Sequence, residues 1–245
     1  ARKAAAVEQA RRRGLPVRQE LPDGRGAREL MAWEGDQPLY YGTLNAIAAI
    51  STGADAIRQA PYLAQGLGGT VGVWDAGSIR ATHQEFGGRV TIRDGAANHY
   101  HSTHVGGTIG ATGIVAGARG MAPQVLIDSY DWTDDLAEMT SRGAAASSET
   151  GKIYVSNHSY GMQSGWVYTA TPTWTWYGSG TTAAGVEDDF GRYNTYARDV
   201  DTLAYGAPYY AIFWAAGNDR DNNPAAGAQV ALEPGGTVVG YNATA

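Results

Sequence analysis

What most limits the fold of this 245-residue chain is an alternation that begins at residue 70. Apolar runs at 70–74, 89–93, 125–127, 153–157 and 209–215 read as buried strands. Between them lie helix-like stretches: a Gly-rich one at 103–109 and one at 134–148 that carries Leu136 and Met139 on one face. Strand–helix–strand repetition makes successive strands parallel, and a parallel sheet needs helices on both faces. An α/β fold is therefore expected over residues 61–245. A segment at about 162–206, rich in Trp, Tyr, Gly and Thr, reads as inserted loops within it.

The first 60 residues follow a different pattern. Positions 2–13 are rich in Ala, Arg, Gln and Glu, which favours a helix, and Gly14 and Pro16 end it. Residues 17–21, a turn at Pro22-Asp23-Gly24, residues 29–33, a second turn at 35–38 and residues 39–41 then read as a small meander. The expectation is a small α+β N-terminal arm over 1–60, either structural or the tail of a pro-segment. Residues 42–68, small and polar with little period, read as linker or arm. Eight of the 18 basic residues fall in the first 28 positions. They read as a solvated helix face, with an anionic partner as the alternative. The start Ala1-Arg2-Lys3, without Met or an apolar segment, reads as already processed or trimmed.

Composition narrows the function. A formal charge of −6 argues against a nucleic-acid partner. No apolar run reaches the ~18 residues of a membrane span. The absence of Cys removes disulfides and thiolate metal sites. Gly at 34 positions, with Trp and Tyr together at 22, suits a loop-rich enzyme better than a helical bundle.

Three patterns carry chemistry. In Val71-Gly72-Val73-Trp74-Asp75-Ala76-Gly77 a buried strand ends in an Asp, and the carboxyl ends of strands are where α/β sheets build their sites. Alone, such an Asp is also a turn or cap residue. In His99-Tyr100-His101-Ser102-Thr103-His104-Val105-Gly106-Gly107, three of the five histidines fall within six positions at the start of the Gly-rich helix. Two readings compete there: His101 as a general base, or His99, His101 and His104 around a zinc ion. The zinc reading lacks a carboxylate at ligand spacing. In Ile212-Phe213-Trp214-Ala215-Ala216-Gly217-Asn218 an apolar strand runs into small residues that let a substrate backbone approach, followed by an Asn whose amide can reach an oxyanion.

Taken together and in this order, the patterns resemble the subtilisin-like (S8) serine peptidases. Asp75-Ala76-Gly77 is similar to that family's Asp-x-Gly, and residues 101–107 to its His-Gly-Thr-His-Val-Ala-Gly. Val155-Ser156-Asn157-His158-Ser159-Tyr160-Gly161 is similar to the strand that lines the substrate cleft. Residues 115–123 are similar to the Gly-x-Ala-Pro approach to the next strand, and 215–218 to Ala-Ala-Gly-Asn. The resemblance implies a subtilisin-like parallel sheet, incomplete here. It assigns Asp75, His101 and the oxyanion residue Asn218 to catalysis, favouring the base over the metal for His101. It assigns Ser159, Tyr160, Gly161, Ala215, Ala216 and Gly217 to substrate binding, with peptides added as a strand along 159–161.

Ser102 and Gly106 stand where the family usually has Gly and Ala. Its nucleophile motif, Gly-Thr-Ser-x-Ala-x-Pro, does not occur, and Gly178-Ser179-Gly180-Thr181 is a poor substitute. The expectation is a secreted serine endopeptidase, made as a zymogen, whose Ser lies beyond residue 245. Its partners are then a peptide or protein substrate and the C-terminal portion of the same enzyme, with no nucleic acid and no membrane. The alternatives are a non-catalytic pseudopeptidase that binds peptides, a nicked enzyme with a separate C-terminal chain and, more distantly, a zinc hydrolase. No cofactor is required. The resemblance brings in calcium as a structural ion, with Glu85, Asp94 and Asp131 in loops as candidate ligands; none forms a ligand-spaced loop, and solvated loop charge is the preferred reading.

Overall fold

Each apolar run from residue 70 onward becomes a strand of one parallel sheet in the computed structural model, which describes residues 2–20, 27–42, 45–162, 164–170, 173–178, 191–218, 223–231 and 237–241. In chain order the elements are α1 (Arg2–Arg12), β1 (Arg18–Glu20), β2 (Ala27–Glu34), β3 (Gln37–Gly42), α2 (Asn45–Thr52), α3 (Ala54–Ile57), β4 (Thr70–Asp75), β5 (Val90–Ile92), α4 (Tyr100–Gly110), β6 (Leu126–Asp131), α5 (Asp135–Arg142), β7 (Val155–His158), β8 (Gly165–Ala170), β9 (Thr173–Tyr177), α6 (Thr195–Gly206), β10 (Ala211–Trp214), β11 (Gln229–Ala231) and β12 (Val238–Gly240). The central sheet has the order β10-β7-β4-β6-β5, and all its pairings are parallel.

Period-two alternation sorts the strand residues onto two faces. Val73 and Ile127 point to a core with Ile79, Phe86, Val90 and Val125, which Val105 and Ile109 of α4 close. Trp74 and Tyr130 point to the other face, where Met139 of α5 and Leu203 of α6 cover them together with Ile153 and Tyr210. The helices thus lie on both faces, as the sequence pattern requires.

The register aligns one rung across four strands: Tyr130 with Trp74, Trp74 with His158, and His158 with Trp214. All four rings fall on the face covered by α5 and α6, and they stack with centroids 4.3, 5.2 and 4.4 Å apart. The residues after this rung, among them Asp75, Ser159 and Ala215, therefore leave the sheet side by side.

Three readings need correction. Residues 42–68 contain α2 and α3. Asn45 Nδ2 donates to the Arg119 carbonyl at 3.4 Å and Arg58 donates to the Gly120 carbonyl at 2.7 Å, so this segment is tied to the sheet unit. The segment Asn-Ala-Ile-Ala-Ala-Ile-Ser-Thr has too little polar contrast to show a helical period. The 162–206 segment is not only loops. It contains the β8–β9 hairpin and the core helix α6, capped where Asn194 accepts from Ala197 N at 3.0 Å. β8 and β9 join β11 and β12 in a second, four-stranded sheet. Finally, α5 stops at Arg142, because hydrogen bonds between 142–144 and Ile153 pull the chain into a bridge.

The arm is a helix on a three-stranded antiparallel sheet, β1-β2-β3, with a small core of its own: Ala6, Ala10 and Leu30, flanked by Val17 and Trp33. The turn expected at Pro22–Gly24 and the segment Ser179–Thr181 lie outside the described residues.

Candidate active site

Asp75 is the last residue of β4 and is fully buried. Its Oδ1 accepts the backbone N–H of Ala76 at 2.7 Å, which turns the carboxylate across the end of the sheet. The chain then doubles back. Ser78 N donates to the Ala97 carbonyl at 2.9 Å and His99 N donates to the Ser78 carbonyl at 2.8 Å. Gly77 permits this crossing, since a Cβ there would lie 2.7 Å from the Ala97 carbonyl oxygen. The turn after Asp75 is thereby stitched to the segment that starts α4.

The ring of His99 caps α4 by accepting His101 N at 3.3 Å. His101 sits in the first helical turn, and its Nδ1 is 2.7 Å from Asp75 Oδ1. The same oxygen accepts Ser102 Oγ at 3.1 Å. The Ser found where the resemblance leads one to expect Gly is therefore a third donor to the carboxylate. Ser102, Gly106 and Gly110 are the buried stripe of α4, and a Cβ on Gly106 would come within 2.7 Å of Ile79 Cδ1. These small residues let the helix lie close to the sheet, which brings His101 within reach of Asp75.

The electrostatics are asymmetric. Asp75 Oδ2 is buried with no hydrogen-bond partner among the described residues, so little solvent screens its charge. The His101 side chain is 42% exposed, and no described residue hydrogen-bonds to its Nε2. An imidazole that donates through Nδ1 to a carboxylate keeps a lone pair on Nε2, the arrangement of a general base.

Asn218 follows β10 and is exposed, with Gly217 before it at φ 95°, a left-handed conformation that suits glycine. Ala215 N donates to the His158 carbonyl at 2.9 Å, which keeps residues 215–217 beside the 159–161 edge. Tyr160 departs from the expectation of a simple cleft residue. Its carbonyl accepts Trp214 Nε1 at 2.7 Å and its hydroxyl donates to Asp135 Oδ2 at 2.6 Å, so both groups are engaged within the protein.

The histidines do not converge on one point: His99 caps its own helix while His101 engages Asp75. Among the described residues no three His, Asp or Glu side chains form a metal-binding group. Glu85 is not solvated loop charge. It is buried, and its carboxylate takes N–H donors from Gly113, Ile114 and Val115 at 2.7–3.0 Å and the Thr112 hydroxyl at 3.1 Å. Burial raises its pKa, but these donors together outweigh burial and leave it below the usual carboxylate value. A carboxylate so filled with donors does not fit a cation ligand. Asp94 and Asp131 accept backbone N–H groups of Ala96, Asp131 and Thr133.

Sequence reasoning missed Asp135, Tyr196 and the role of His158. Asp135 fell unremarked within the helix read over 134–148, and Tyr196 lay in the supposed loops. His158 was visible in the strand motif, but nothing local showed that its partners lie on other elements.

The Subtilase family model matches residues 46–244. Comparison with curated proteins gives no match.

Proposed function

The chain belongs to the subtilase family of serine peptidases, and from that premise we propose that it is the part of an endopeptidase that holds the acid–base pair and the oxyanion donor. Asp75 fixes the tautomer and orientation of His101 and stabilises the imidazolium that forms during attack. His101 Nε2 takes the proton of a serine hydroxyl as its oxygen attacks the peptide carbonyl, then delivers it to the leaving amine. Asn218 donates its side-chain amide to the oxyanion of the tetrahedral intermediate. A peptide lies along Ser159 and Gly161 as an added strand, with residues 215–217 beside the bond to be cut.

The nucleophile is the missing member, and the half of the sheet next to α4 supports a place for it. On the face that α4 covers over β4 and β6, the neighbouring strands β7 and β10 present Val155, 39% exposed, and Phe213, 61% exposed. Such a patch calls for a covering segment, and one placed there would lie beside His101. Sequence outside this chain that carries the serine would fill that role.

The observation that carries the reading is the 2.7 Å contact between His101 Nδ1 and a fully buried Asp75. The test is labelling of the complete gene product with a fluorophosphonate. One serine, mapped by mass spectrometry outside residues 1–245, should be modified, and His101→Ala should abolish labelling. A complete protein that takes no label would contradict the peptidase reading and leave a non-catalytic, peptide-binding pseudopeptidase as the alternative to test.

A further inference from the structure

The hydrogen bonds around Tyr160 run in one direction. Tyr160 has a single hydroxyl proton, and it goes to Asp135 Oδ2 at 2.6 Å. His158 Nδ1, 3.1 Å from the same hydroxyl, must then be the protonated nitrogen and the donor. His158 Nε2 is left to accept from Ser156 Oγ at 2.8 Å. The chain thus passes from Ser156 through His158 and Tyr160 to Asp135. Tyr196 of α6 adds a second phenol to Asp135 Oδ2 at 2.7 Å, and Leu136 N donates to its Oδ1 at 2.7 Å.

Asp135 is buried, and no Lys, Arg or His partners it among the described ion pairs. A buried carboxylate held only by neutral donors and a helix start is a costly way to join α5, α6 and a strand. Apolar side chains of the same volume would hold them together at least as well. What the polar arrangement adds is position. It fixes the hydroxyl of Tyr160 from one side while Trp214 fixes its carbonyl from the other.

We propose that Asp135 and Tyr196 are positioning residues for peptide binding: acting through Tyr160, they hold the backbone of Ser159 and Gly161 in the geometry that an added strand requires, although neither touches the peptide. This rests on the reading of 159–161 as the peptide-binding edge. Burial and the Asp135 carboxylate both hold the Tyr160 phenol in its protonated form.

The test uses the complete gene product and two probes: a peptide with a reduced, uncleavable bond and several residues on its amino side, and a single-residue ester that does not reach the edge. Asp135→Asn should raise Kd for the long peptide, and KM for its cleavable counterpart, by about tenfold, with kcat and ester turnover within about twofold of wild type. Tyr196→Phe, which leaves Asp135 its Tyr160 partner, should give the same pattern at about two- to threefold, and it carries the test alone if Asp135→Asn fails to fold. Equal losses on both probes, or unchanged Kd for the long peptide in a folded variant, would overturn the proposal. So would a wild-type protein that does not bind the long peptide. A wild type that binds it without cleaving it defeats the peptidase reading only, and the Kd comparison still decides this one.

Discussion

Two histidines stand near the same end of one sheet, each linked to an aspartate, and their surroundings are opposite. His101 enters from α4 on one face, half exposed, with Nδ1 directly on a buried carboxylate and Nε2 unengaged by any described residue. His158 belongs to β7 on the other face. It is fully buried between the rings of Trp74 and Trp214, both its nitrogens are occupied by hydroxyls, and it reaches Asp135 only through Tyr160. Burial lowers its pKa to about 4, with the Asp135 charge acting in the opposite direction. The chemical use of an imidazole is thus set by what faces its two nitrogens. One keeps an exposed nitrogen that no described residue engages, and the other is locked neutral as a structural connector.

Substitutions sharpen this contrast. The largest effect is expected for His101→Ala in the complete enzyme: a fall in kcat of about 10⁶ with little change in Tm, because the ring is half exposed. An activity loss that tracks a loss of fold would erase the distinction between the two histidines. Asn218→Ala should lower kcat by about 10²–10³ at nearly unchanged KM, read from steady-state kinetics on a peptide substrate.

For His158 the expected signal lies in stability. Its folded pKa, about 4, is below the unfolded value of 6.5, so between these values the unfolded chain binds the extra proton. Stability is then complete above about pH 6.5 and falls as pH drops toward 4, by up to roughly 3 kcal/mol. Urea unfolding of wild type and His158→Gln across this range checks it, since the variant should lack that slope. Among changes at the Asp75–His101 pair and its surroundings, the smallest effect is expected for Ser102→Gly, which removes one of three donors to Asp75. A fall of about tenfold in kcat is expected, with KM unchanged.

Most of the fold that positions the site was legible in the sequence, because it rests on local signals. Parallel strands buried on both faces leave continuous apolar runs such as Val71–Trp74, and the end of a strand followed by Asp-x-Gly marks a turn at the sheet's carboxyl edge. Chain order then grouped Asp75, His101 and Asn218 through resemblance, and of these the structure brings Asp75 and His101 into contact. The parts that stayed hidden depend on non-local partners. Tyr196 and Leu203 looked like loop residues because the segment before them is dense in aromatic and small residues, yet a cap at Asn194 and the tertiary surface around Trp74 fold that stretch into a helix. Glu85 looked solvated because the three backbone N–H groups that fill its carboxylate come from residues about 30 positions later.

The most direct measurement is a double-mutant cycle on kcat in the complete enzyme, with Asp75→Asn, His101→Ala and both together. If Asp75 acts through His101, the single changes should cost about 10⁴ and about 10⁶, and the double variant should be no slower than His101→Ala alone. Losses that multiply, or an Asp75→Asn enzyme that turns over near the wild-type rate, would contradict the assignment of this pair as one acid–base unit.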